Sequence, residues 1–217
     1  MLSKLNNFFL ELEPANVDAH ILAGTFAIED KRWEESFIAW GLVRRLQPSH
    51  PTACLYLAQT LLAMGRGTSA KPLLQEYVDR MDKNATAQEK ILIAELLLSA
   101  DEPTLATSLL EPLRESISDE DVLTPKCLRL LAVSLFGSGM IDEGASISRK
   151  VLRFDPNCIA SIHNLALAAV KNDRYRSAWG WVRRGLAVDP YDNDLRRLRS
   201  RLIWEGMAQY VKKIFVR

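Results

Sequence analysis

Three cysteines (Cys54, Cys127, Cys158) and three histidines (His20, His50, His163) carry the most reactive side-chain chemistry in this sequence. A zinc site needs four converging ligands, usually with closely spaced cysteine pairs. Cys158 and His163 are five residues apart, Cys127 lies far upstream, and no close cysteine pair exists. No metal site is expected. Nucleophilic catalysis fares no better, because no nucleophile-elbow or other catalytic signature accompanies these residues. Gly65-Arg66-Gly67 and Gly137-Ser138-Gly139 resemble fragments of phosphate loops, but no lysine–serine pair follows either. They are turn glycines, and no cofactor site is expected. With acid, base and nucleophile all unassigned, an enzyme is the class least supported.

Charge is the next chemistry to test. The net charge of the 217 residues is only +1, so there is no global basic footprint for nucleic acid. Residues 193–217 nevertheless hold seven basic and two acidic side chains, which leaves the rest of the chain mildly acidic. Arg196, Arg197, Arg199 and Arg201, with Trp204 nearby, form the densest part of that tail. Such asymmetry hints at a charged partner. A solvated face is the plainer expectation, and the lack of interleaved aromatic residues argues against nucleic acid.

The elements that would position these residues are helices. One spacing recurs five times, a small residue followed by another twelve positions later: Gly24/Ser36, Ala58/Ala70, Ala94/Ala106, Ala132/Gly144 and Ala166/Ala178. Successive pairs are offset by 34, 36, 38 and 34 residues. Two antiparallel helices joined by a tight turn need small side chains where they approach closely. Around these positions apolar residues recur at three- and four-residue steps, as in Leu128, Leu131, Ala132 and Leu135. Turn signals fall midway through each unit, at Asp30-Lys31, Gly65-Arg66-Gly67, Asp101-Glu102-Pro103, Gly137-Ser138-Gly139 and Asn172-Asp173. Pro14, Pro48, Pro156 and Pro190 close units where a helix cannot continue.

Residues 159–192 closely resemble a tetratricopeptide repeat, with Leu165, Ala166, Tyr175, Ala178, Leu186 and Pro190 at the family's pattern positions. Residues 125–158 follow through Leu131, Ala132, Gly144, Leu152 and Pro156. Residues 17–50 match through Ala23, Gly24, Trp33, Ser36, Trp40 and Pro48, with Arg44 at a usual leucine position. Residues 51–84 depart from the pattern: Gly67 replaces the turn aromatic, the closing proline is missing, and Pro72 enters the second helix, where it is placed in the first turn. Residues 85–124 match most weakly, with Pro103 and Pro112 inside.

The resemblance implies an all-α, tetratricopeptide-type solenoid of helical hairpins wound as a right-handed superhelix and closed by a C-terminal capping helix. Its expected organisation is a cap or half repeat at 1–16, helix pairs at 17–50, 51–84, 85–124, 125–158 and 159–192, and a basic amphipathic helix at 193–217. In that helix Leu195, Leu198 and Leu202 form a stripe that should dock on the preceding pair. A second apolar group runs from Ile203 through Met207 to Ile214 and Phe215.

The resemblance also implies function by binding. The inner positions of the first helices are Ile21 and Thr25, Leu55 and Gln59, Ile91 and Glu95, Arg129 and Val133, and His163 and Leu167. Family members that clamp the acidic ends of chaperones use lysines and asparagines there. The single arginine in this set argues against such a clamp. The apolar character suits an amphipathic helix or an extended apolar peptide. Trp33 and Trp40 are expected in the core, whereas Trp179 and Trp181, two residues apart on one helix, must face different ways. The expected function is therefore a non-enzymatic adaptor whose partner is another protein. The alternatives are a self-assembling module that oligomerises through its terminal helices and, more weakly, recruitment to an anionic surface through the basic C-terminal helix; the C-terminal surface candidates are Arg196, Arg197, Arg199, Arg201, Trp204, Met207, Ile214 and Phe215. Cysteine usage suits a reducing compartment. No apolar stretch reaches the roughly 18 residues of a membrane span, and residues 1–14 lack a signal-peptide pattern. A cytoplasmic protein is expected.

Overall fold

A computed structural model describes residues 15–82 and 85–215, with side chains as far as Glu205. Eleven helices occur among the described residues, and no strand. They are α1 (Val17–Glu29), α2 (Trp33–Leu46), α3 (Ala53–Ala63), α4 (Gly67–Arg80), α5 (Ala87–Ser99), α6 (Pro103–Ser116), α7 (Thr124–Gly137), α8 (Ile141–Phe154), α9 (Ile159–Lys171), α10 (Tyr175–Val188) and α11 (Asn193–Phe215). The architecture is all-α and built from helical hairpins.

The turns explain the register. Lys31, Gly65, Asp101, Gly139 and Asp173 each adopt a positive φ, between 54° and 81°. Their offsets of 34, 36, 38 and 34 residues are those of the small-residue pairs. The residue after each one donates its backbone N–H to the carbonyl five positions back: Arg32 to Ala27 (2.7 Å), Arg66 to Leu61 (2.8 Å), Glu102 to Leu97 (2.9 Å), Met140 to Leu135 (2.9 Å) and Arg174 to Ala169 (2.8 Å). Five first helices thus end in the same left-handed cap, which satisfies their last carbonyls and reverses the chain within three residues.

The small residues are buried as the close approach demands. Gly24, Ser36, Ala58, Ala70, Ala94, Ala106, Ala132, Gly144, Ala166 and Ala178 are all buried. A Cβ on Gly24 would meet the Trp40 indole nitrogen at 2.5 Å, and one on Gly144 would meet the Phe136 ring at 2.6 Å.

The chain divides into two compact units, residues 1–102 and 103–217. The division falls inside the 85–124 segment, where the repeat pattern is weakest. In the first unit α1 packs on α2, α2 on α3, α3 on α4 and α4 on α5, and α3 also meets α5. Trp40 is its largest buried side chain; it stacks on Tyr56 with ring centroids 4.5 Å apart. Trp33, expected in the core, is only half-buried. Arg44 in place of leucine pairs with Glu76 across the α2–α4 contact at 2.7 Å, so an ion pair stands where an apolar contact is usual. Pro72 does not lie in the first turn of α4: the helix begins at Gly67, and the proline occupies its second turn. There it removes one interior hydrogen bond, a cost that an exposed helix face tolerates.

In the second unit α6 packs on α7, and α7, α8, α9, α10 and α11 follow as successive neighbours, with α7 also touching α9. Leu195, Leu198 and Leu202 of α11 are buried in one cluster with Ala166, Ala169, Val170, Ala178 and Val182. The leucine stripe therefore caps α9 and α10.

Candidate functional site

The candidate inner positions divide by unit. In the first, Ile21 and Thr25 on α1, Gln59 on α3 and Glu95 on α5 are half-buried. Thr25 donates its hydroxyl to the Ile21 carbonyl at 2.8 Å, which leaves an oxygen lone pair, not a proton, for a ligand. Leu55 and Ile91 are 5% and 2% exposed and so belong to the core; they are corrected here as groove residues. The cause is neighbourhood. α3 packs against α2, α4 and α5, and α5 against α3 and α4, and Leu55 and Ile91 are covered in that packing.

In the second unit the same positions stay accessible. Arg129 is exposed, Val133 is 37% exposed, and His163 and Leu167 are half-buried. They sit on α7 and α9, which touch side by side. Between His163 and Leu167 stands Asn164, which sequence reasoning did not single out. It is 8% exposed, and its Nδ2 has no hydrogen-bond partner among the described residues. The available signal was an amide on a helix whose other residues from Ser161 to Val170, His163 apart, are small or apolar. The surface therefore offers a cation at one edge, an apolar centre and an imidazole, which is the chemistry of peptide recognition.

The C-terminal candidates are partly spoken for. Arg196, Arg197, Arg199 and Arg201 are all exposed. Arg201 donates from Nε to Glu205 at 2.6 Å, and Arg197 lies 3.8 Å from Asp194. Trp204 is 70% exposed. Met207, Ile214 and Phe215 lie outside the described side chains. Of the tryptophan pair, Trp179 is exposed while Trp181 is half-buried, with the Arg184 guanidinium 5.4 Å from its ring centre. Arg184 also donates to the Pro156 carbonyl at 2.6 Å, so this cation is used within the fold.

The three cysteines are free and buried. Burial pushes the Cys127 thiol up to about 11, against a weaker downward pull from Arg114. Cys54 is raised chiefly by burial and then by Glu76. A thiol held this way is a poor nucleophile at neutral pH. No group of three or more His, Cys, Asp or Glu side chains that could hold a metal ion occurs among the described residues.

Hairpins repeated at about 34 residues, small residues at each crossing and left-handed caps at each turn define the tetratricopeptide-repeat fold. Solved structures of such proteins are similar to most of this chain. YrrB, a TPR protein with an unusual peptide-binding site, superposes with a TM-score of 0.71 at 14% identity, covering 91% of this chain and 99% of its own. MamA from Desulfovibrio magneticus RS-1 gives 0.63 at 15% identity over 82% of this chain and 97% of its own. PilW, a widely conserved type IV pilus biogenesis factor, gives 0.61 at 12% identity over 89% and 87%. Identities this low speak to the fold alone. No protein-family model and no curated protein matches the sequence.

Proposed function

We propose that this chain is a non-enzymatic adaptor that holds a peptide or amphipathic helix of another protein, with the segments 17–50, 51–84, 85–124, 125–158 and 159–192 as its repeating units. The observation that carries the reading is the strip on α7 and α9, where Arg129 and Val133 are exposed and His163 and Leu167 half-buried on helices whose other faces are packed. A surface preformed by packed helices lowers the ordering cost of binding. That YrrB has a peptide-binding site supports the same reading. No helix among the described residues is long and apolar enough to cross a membrane, and a cytoplasmic setting fits the free cysteines.

The test is partner capture with the wild-type chain and with Val133→Asp/Leu167→Asp, checked for unchanged helicity. Loss of the captured partner in the double variant supports the adaptor. Equal capture by both proteins contradicts it. A second reading, self-assembly through α11, draws on the exposure of Trp204 and Ile203. The basic arm of α11 keeps recruitment to an anionic surface as a third.

A further inference from the structure

The second unit holds a pocket of about 500 Å³ where α6 ends, α7 begins and α8 ends. We propose that it binds an anionic group, a phosphate or a carboxylate, carried on a larger organic body. This site is separate from the α7–α9 strip and stands without it.

Three cations line the pocket: Arg114 from the last turn of α6, and Lys150 and Arg153 from the end of α8. Cations near helix C-termini are ordinary, because they complement the carbonyl ends. These three also converge on one concavity. Arg114 also acts on the buried Cys127 thiol of α7, the residue before Leu128 in the pocket lining, and favours its ionised form. Among the described residues none of the three makes a hydrogen bond or ion pair with another side chain, although Glu115 and Asp119 line the same pocket. Elsewhere in the unit a neighbouring carboxylate is taken up, as Glu205 is by Arg201 at 2.6 Å. In the pocket no such pair forms, and a small anion between the three cations gains several charge-assisted hydrogen bonds.

The Thr124 hydroxyl is committed to the Ser118 carbonyl at 2.6 Å, so it ties the loop in place and leaves recognition to the cations. The pocket is larger than a bare phosphate or carboxylate needs. Buried Leu128 at the base and half-exposed Phe154 at the rim offer apolar contact to whatever carries the charge.

The experiment is an amide NMR titration of the full chain with inorganic phosphate and, in a second arm, with acetate, each at ionic strength held constant with chloride. Saturable shifts confined to the amides around 114–128 and 150–154 are expected. Lys150→Ala/Arg153→Ala, with helicity unchanged, should weaken binding by about tenfold. Glu115→Gln/Asp119→Asn should tighten it. Arg114→Gln, a milder change, should weaken binding in the same direction and guards against misfolding of the double variant. Tighter binding of phosphate assigns the site to a phosphorylated ligand, and tighter binding of acetate to a carboxylate. Shifts that never saturate, that spread over Arg183 and Arg196, or that survive in Lys150→Ala/Arg153→Ala overturn the proposal.

Discussion

Single atoms decide whether the hairpins close. Gly24 and Gly144 sit where an added methyl group would enter the Trp40 and Phe136 rings, so Gly24→Val should cost about 1–3 kcal/mol by overpacking, read from denaturant unfolding. Lys31 holds a left-handed conformation that glycine adopts without strain. Lys31→Gly should therefore raise stability by about 1 kcal/mol; a loss would show that its turn is held by the side chain. Cys127 links stability to pH. Its folded-state thiol is raised to about 11, so the folded chain holds this proton more tightly than the unfolded one. The contribution is complete below the unfolded thiol value and fades as pH rises towards 11, and Tyr77, raised by burial and its hydrogen bond to Glu89, acts in the same direction at higher pH. The melting temperature should fall over this range, and less steeply in Cys127→Ala. At this scale the small-residue spacing was legible in the sequence, because close approach restricts residue type directly. The burial of Leu55 and Ile91 was not, because it depends on how many helices surround α3 and α5.

Elements show where the repeat pattern bends. Helix period and turn signals made the hairpins visible, and the leucine stripe of α11 foretold its docking on α9 and α10. Pro72 was harder to place, since the helix start depends on a cap that has no side-chain hydrogen bond. With the proline in the second turn and exposed, Pro72→Ala restores a backbone donor at little packing loss. A gain of about 1 kcal/mol or more in unfolding free energy is expected. A loss would mean that the groove lined by Pro72 and Phe37 between α2 and α4 needs the ring. The anion pocket was invisible in sequence for a related reason: Arg114, Lys150 and Arg153 come from the ends of two helices, and only the packing of α6 and α8 on α7 brings them to one cavity.

For the whole molecule, the 24.5 kDa chain is two compact units. In the second, α11 covers Ala166, Ala169, Val170 and Val182, so the last hairpin is not left open to a neighbour. The adaptor account expects the monomer mass across concentration in sedimentation analysis at low and high salt. Mass that rises with concentration and falls in Trp204→Ala would move the account to self-assembly.

The most direct test of partner binding by the α7–α9 strip is site-specific photo-crosslinking. A photoreactive residue is placed at Val133 and, in a second protein, at Ser146, which is exposed on α8. The account predicts a crosslink to another protein from position 133 and none from position 146. A crosslink from position 146 alone, or a crosslink from position 133 only to a second copy of this chain, would contradict it.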